Sequence, residues 1–185
     1  MIIETERLLL RQFCEGDAED LYEYLESPEV NCFESMKLNS PEAAKEALGE
    51  RTAEPELYLA IELKGNGKAI GEIAAFPERD EHLGTELPPD TFSPIWMLNP
   101  GFKGRGHAFE AARAFFDYLF CEKGARRIYA YTEEDNLPSR RLCEKLGMRH
   151  EGTFIEFISF VNNADGTPKY ENTCQYAILK KEWRL

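Results

Sequence analysis

The stretch from Pro94 to Phe120 constrains this chain most. A short apolar run, Pro94-Ile95-Trp96-Met97-Leu98, passes through Asn99-Pro100-Gly101-Phe102-Lys103 and the glycines Gly104 and Gly106. It then enters a segment with Ala108, Ala111, Ala112, Phe115, Leu119 and Phe120 at helical spacing. A buried strand that feeds a long amphipathic helix through a glycine-bearing turn demands a sheet with a helix against it, which makes the chain α+β or mixed α/β. The turn also has a chemistry of its own. Gly104 and Gly106 remove Cβ atoms where a ligand would approach the backbone, and Ala108 keeps the next position small. The helix start beginning near His107 offers unpaired N–H groups and the positive end of its dipole. Lys103 and Arg105 add charge, so the turn is an anion cradle suited to a pyrophosphate. A purely structural turn is the plainer reading of two glycines before a helix. No Gly-Lys-Ser/Thr follows, as a triphosphate loop requires, and the third small residue and later acid of a dinucleotide fingerprint are missing, which leaves coenzyme A as the natural polyphosphate.

The other elements arrange themselves around this unit. Thr5 to Phe13 reads as a strand, followed by a helix with Ala18, Leu21 and Leu25 on one face. Ser40-Pro41 supplies the cap and first turn of a second helix carrying Ala44, Ala47 and Leu48. Leu57–Leu63 and Ala69–Phe76 flank Lys64-Gly65-Asn66-Gly67-Lys68 as a hairpin. Pro77 to Ser93, charged and proline-rich, reads as an exposed connection near a substrate entrance. Arg127–Thr132 is a strand, Pro138–Leu146 a helix closed by Gly147, and Phe154–Val161 and Tyr170–Leu179 form a last hairpin. The total is about seven strands, mostly antiparallel, and about four helices.

Composition narrows the functions open to such a fold. The 185 residues, 43% of them hydrophobic, suit one domain spanning residues 1–185 with a single core. The 34 acidic against 22 basic side chains, a formal charge of −12, would repel nucleic acid and anionic lipid, so neither is expected as a partner. The same acidity favours a cationic acceptor such as a polyamine or a basic peptide end, although ordinary solubility also explains it. No segment approaches the ~20 apolar residues of a membrane span, and Glu4, Glu6 and Arg7 interrupt any secretory pattern, so the expected location is cytoplasmic. Five widely separated cysteines form no CxxC pair, and His82, His107 and His150 show no ligand spacing, so no metal is expected.

Three motifs in order extend this reading. Thr5-Glu6-Arg7-Leu8-Leu9-Leu10-Arg11 opens the chain, Lys103-Gly104-Arg105-Gly106-His107-Ala108 forms the loop, and Asn136-Leu137-Pro138-Ser139-Arg140-Arg141-Leu142-Cys143-Glu144-Lys145-Leu146-Gly147-Met148 makes the later helix. Together with the closing strand Asn172 to Trp183, they resemble the GCN5-related N-acetyltransferase superfamily over nearly the whole length. The likeness is to the branch that acetylates ribosomal-protein N-termini and assorted small amines. The resemblance implies a sheet splayed in the middle, between Pro94–Leu98 and Arg127–Thr132, with the pantetheine arm of acetyl-CoA entering as an extra strand. It further implies that main-chain groups of Met97, Leu98 and Asn99 pair with that arm and that residues 103 to 108 hold the pyrophosphate. Asn136 and Ser139 would contact the cofactor, and a primary amine would attack the thioester directly.

The chain departs from the family at two places. The tyrosine that many relatives use to protonate the leaving thiolate is replaced by Cys143, so Ser139, one turn earlier, is the preferred donor. Packing is the plainer role for Cys143, and a local helix hydroxyl the plainer role for Ser139. The acid expected on the strand before the loop is missing around Ser93. Glu72 is then the candidate base acting through water, its plainer role being a solvent-facing strand glutamate. Glu110 reads as a complement to its helix dipole. The alternative function is a coenzyme A-binding module of the same fold without turnover. The apolar residues on both faces of Phe154–Phe160 suggest a partner surface, a homodimer included, or double-sided burial.

Overall fold

The computed structural model describes residues 1–53, 55–78 and 89–184. The elements in chain order are β1 (Ile2–Glu4), β2 (Leu8–Arg11), α1 (Ala18–Leu25), α2 (Pro41–Thr52), β3 (Tyr58–Leu63), β4 (Lys68–Glu78), β5 (Thr91–Leu98), α3 (His107–Cys121), β6 (Arg127–Glu133), α4 (Leu137–Lys145), β7 (Arg149–Asn162) and β8 (Pro168–Leu179). The strands form one sheet in the order β1-β2-β3-β4-β5-β6-β8-β7. All neighbours are antiparallel except β5 and β6, which α3 joins as the crossover that a parallel pair requires. Among the described residues no helix is long and apolar enough to cross a membrane.

Among the described residues eight strands stand where the sequence predicts about seven. The addition is β1, which pairs with β2 from Ile2↔Arg11 to Glu4↔Leu9. Thr5 and Leu8 close the turn between them, Thr5 N–H donating to the Leu8 carbonyl at 3.0 Å and Leu8 N–H to Thr5 Oγ1 at 2.9 Å, and a partner more than a hundred residues away ties it down. The Glu110 carboxylate on α3 accepts from Thr5 Oγ1 at 2.6 Å, from the Arg7 main-chain N–H at 2.8 Å and from Arg7 Nε at 2.6 Å. Glu110 is thus the anchor of the amino-terminal hairpin, a role beyond the dipole complement that its position suggested. Strands β4 and β5 reach Glu78 and Thr91, which shortens the predicted connection at both ends; its middle, with His82, lies outside the described residues.

Two apolar clusters cover the two faces of the sheet. The larger packs α3 and α4 through Ala111, Phe115, Phe116, Leu119, Phe120, Leu142 and Cys143 against Leu8, Leu59, Ile73 and Ile128. The smaller packs α1 and α2 through Leu21, Leu25, Ala44 and Leu48 against Ala60 and Ala69. The α2 cap forms as its residues dictate, Ser40 accepting from Ala43 N–H at 3.2 Å. On the edge strand β7, Ile155 and Phe157 remain 71% and 51% exposed, which overturns double-sided burial there.

Candidate functional site

The site begins where β5 and β6 part. They pair only at Thr91↔Arg127 and Phe92↔Ile128, after which β5 stays with β4 as far as Gly71↔Leu98, and β6 stays with β8 as far as Glu133↔Thr173. From Ser93 and Tyr129 onward their facing edges share no ladder, so main-chain groups in the gap lack the partners that a sheet interior normally supplies. Gly71 helps to hold β5 on the β4 side. A Cβ there would stand 2.2 Å from the Met97 carbonyl and 2.9 Å from Leu98 Cα, so only glycine admits this approach.

Main-chain parity decides which residues address the gap. The Asn99 N–H donates to the Ile70 carbonyl at 2.8 Å, so Asn99 turns toward β4, and Met97 shares its parity. Pro94, Trp96 and Leu98 turn the other way, in phase with Phe92, which meets β6. Pro94 has no N–H to lose on the unpaired side. Of Met97, Leu98 and Asn99, all three expected to pair with a ligand, only Leu98 presents its main chain to the gap. Asn99 is a buried corner: its amide donates to Glu23 at 2.9 Å and accepts from Gly101 N–H at 2.9 Å.

The glycine turn lies at the open end of β5. Gly104 and Gly106 adopt φ of +74° and +82°, left-handed values that disfavour other residues. Gly106 caps α3 without any side-chain hydrogen bond, and the first-turn N–H groups have no acceptor within the helix. A Cβ at Gly104 would meet nothing within 4 Å, so the backbone there is open to a ligand. Lys103 pairs with Glu29, and the Arg105 guanidinium lies 5.7 Å from the centre of the Phe102 ring. Arg7 joins them, donating from Nη1 to the Arg105 carbonyl at 2.8 Å. The opening motif thus delivers a third cation to the loop, which a strand reading of Thr5 to Arg11 did not foresee. Burial, and then Arg7, hold the His107 imidazole below its ordinary value. With Arg7 paired to Glu110 and Lys103 to Glu29, the first-turn N–H groups and the Arg105 guanidinium are what fit a pyrophosphate despite the acidic whole.

On the other side of the gap Asn136 caps α4, its Oδ1 accepting from Ser139 N–H at 3.2 Å. Ser139 Oγ in turn accepts from Trp96 Nε1 at 3.1 Å, a bond that joins β5 to the helix following β6. An indole N–H can only donate, so the Ser139 hydroxyl keeps its own hydrogen free to give. Cys143 is fully buried in the larger cluster, with burial pushing its thiol up to about 12. It packs as a small apolar side chain, and the structure removes it as a proton donor.

Glu72 is neither solvent-facing nor available to take a proton through water. It is 0% exposed, and its carboxylate accepts from Arg51 Nε at 2.7 Å, Arg51 Nη2 at 3.1 Å, Tyr24 Oη at 3.1 Å and Tyr58 Oη at 3.0 Å. Four donors saturate the carboxylate, which corrects its reading as the general base.

Glu133, at the end of β6, was not singled out in the sequence. It is 6% exposed and accepts from Cys32 N–H at 2.9 Å. Burial raises its carboxyl to about 7 against the Cys32 bond, with the Glu171 and Asp135 carboxylates adding to the rise. A raised acid holds its proton longer in the folded state, so its contribution to stability is full below the unfolded value of 4.5 and is lost as pH climbs to about 7. Glu133→Gln should therefore stabilise the fold by on the order of 2–3 kcal/mol at about pH 8 and by almost nothing at about pH 4. Thermal melts across this range check the prediction, and an equal gain at both ends would contradict it.

The family model described as an acetyltransferase (GNAT) domain matches residues 7–149. The uncharacterized N-acetyltransferase YnaD of Bacillus subtilis is 31% identical over 99% of each chain. A GNAT-family acetyltransferase from Bacillus anthracis superposes with a TM-score of 0.83 at 30% identity, covering 98% of this chain and 100% of that one. The microcin C7 self-immunity acetyltransferase MccE, solved with acetyl-CoA and AMP, shares the fold at a TM-score of 0.73 and 16% identity, covering 95% of this chain and 93% of that one.

Proposed function

The chain belongs to the acetyltransferase (GNAT) family, and on that premise we propose that it uses acetyl-CoA to acetylate a primary amine directly, on a small molecule or a peptide amino terminus. The observation that carries this reading is the parting of β5 from β6 after Phe92 and Ile128, with a glycine turn at its open end. A gap bordered by unpaired strand edges suits an extended chain with amide groups, and the pantetheine arm is such a chain. The N–H groups of residues 104 to 108 would bind the diphosphate, assisted by Arg7, Lys103 and Arg105. MccE, whose structure contains acetyl-CoA, is a relative by fold that supports this choice of ligand.

The cosubstrate supplies an activated acyl group and a thiolate leaving group. The protein's part is to orient, polarise and move protons. The Trp96 and Leu98 N–H groups, facing the gap, are donors that could stabilise an oxyanion. Ser139, held by Trp96 and Asn136, would donate a proton to the departing sulfur. Ser139→Ala should lower kcat by roughly 10²-fold with little change in KM for acetyl-CoA, as steady-state kinetics would reveal. Unaltered kcat would return Ser139 to a capping role.

The function is tested by incubating the full chain with acetyl-CoA and a panel of polyamines, amino acids and basic amino-terminal peptides while following thiol release. Release that depends on one class of amine is the expected result. Tight binding of acetyl-CoA without release across the panel would instead identify a binding module.

A further inference from the structure

The ends of β6 and β8 hold a group of oxygen atoms that neither the gap nor the glycine turn uses. Glu133 and Thr173 are register partners, and Glu171 lies two residues from Thr173 along β8, so all three side chains share one face of the sheet. The turn Asn31–Met36 between α1 and α2 closes over them, with Cys32 N–H bonded to Glu133 and Asn31 Nδ2 to Glu171. Lys169 bonds the same Glu171 oxygen, Oε1, at 3.1 Å. Two buried atoms remain without a partner among the described residues, Glu171 Oε2 and Thr173 Oγ1. The Glu171 side chain is only 9% exposed and Thr173 5%, so neither atom is answered by bulk water.

Below about pH 7 the proton on Glu133 is itself a donor facing Glu171; above it these buried acceptors go unanswered, which marks the place of an absent donor. Two carboxylates call for positive charge, and the carboxylates and hydroxyl together for several N–H or O–H groups from one ligand. No group of three or more metal-ligating side chains occurs among the described residues, which favours an organic cation over a metal. An ammonium group carries one charge and three donors. A pocket of ≈ 290 Å³ lined by Glu134, Asp135, Lys169, Tyr170, Glu171 and Asn172 opens beside Glu171, with Glu133 and Thr173 behind its lining.

We propose that Glu133, Glu171 and Thr173 bind an ammonium group of the acceptor, which makes di- and polyamines the substrate class. This assignment rests on the acetyltransferase reading. It also dictates a pH dependence. The groups facing Glu133 are Glu171, Asp135 and Cys32, whose thiol burial raises to about 12 and so keeps neutral, with Lys169 beyond Glu171. Glu133 takes up a proton near pH 7, whereas an alkyl ammonium keeps its own to about pH 10. Affinity should therefore fall on acidification through neutrality while the ligand's charge stays constant.

The test is calorimetric titration of spermidine into the full chain, with and without coenzyme A, at about 150 mM salt to screen diffuse attraction to the acidic surface. Glu171→Gln and Thr173→Val should each bind more weakly than wild type, Glu171→Gln by about tenfold or more. Wild-type binding should weaken several-fold from about pH 8 to about pH 6. Glu122→Gln, which removes the same charge from an exposed position, should bind as wild type does. The proposal is overturned if wild type fails to bind spermidine, if Glu171→Gln loses no more than Glu122→Gln, or if binding ignores pH. Titration of coenzyme A into the same samples separates the two ideas: its failure with wild type would sink the acetyltransferase reading, whereas normal coenzyme A binding without spermidine binding would sink this one alone.

Discussion

Gly106→Val should weaken acetyl-CoA binding by about 10²-fold or more, equivalent to roughly 3 kcal/mol, while leaving a folded protein. The backbone at residue 106 has φ +82°, where an L-residue loses roughly 1–2 kcal/mol and a β-branched one more. Its Cβ would stand 3.4 Å from Arg7 Nη2, and the two methyl groups beyond would compete with any phosphate for the space before the first turn of α3. The helix itself is held by Ala111, Ala112, Phe115, Phe116 and Leu119, all fully buried, so the damage should stay at the loop. Calorimetry for the ligand and a melt of the free protein are the two readouts. Wild-type affinity in a folded variant would mean that residues 103 to 108 are a turn and nothing more.

The largest loss of stability is expected from Arg51→Met. Arg51 is 4% exposed and its guanidinium lies near the rings of Phe13 and Tyr58, 6.0 and 5.4 Å from their centres. Without it Glu72 would retain a buried negative charge supported only by two tyrosine hydroxyls. Breaking such a pair costs roughly 3–5 kcal/mol, and for a chain of this size each kcal/mol lowers Tm by about 2–4 °C. A fall of roughly 6–20 °C follows. The double variant Arg51→Met/Glu72→Leu should recover much of it, since the pair's own desolvation cost disappears with it. Full stability in the single variant would show that Glu72 is not charged in the folded state. The ion pair bears on the site as well, because Glu72 pairs in register with Met97 on β5, the strand that borders the gap.

The features legible in the sequence are those whose cause is local. Ser40 and Pro41 fix the start of α2 with their own hydroxyl and ring, and Gly65 and Gly67 allow the β3–β4 turn at φ of +98° and +69°. Gly104 and Gly106 marked the loop for the same reason. What escaped depends on residues distant in the chain. The amino-terminal hairpin is closed locally by Thr5 and Leu8, but its anchor is distant, since Glu110 ties Thr5 and Arg7 to α3. The burial of Glu72 depends on Arg51, Tyr24 and Tyr58, yet one signal was present: Arg51 continues the stripe of Ala44, Ala47 and Leu48 on α2, and a cation on an apolar helix face implies a buried partner. Glu133, Glu171 and Thr173 come together only when β6 and β8 pair, and strand alternation alone does not say what closes over them.

A crystal structure of the full chain with acetyl-CoA is the most direct test of the account. The diphosphate should lie on the N–H groups of residues 104 to 108, and the pantetheine amides should bond to main-chain groups along Trp96 to Leu98, between β5 and β6. A cofactor seated elsewhere, with the gap empty or closed by strand pairing beyond Phe92 and Ile128, would contradict it.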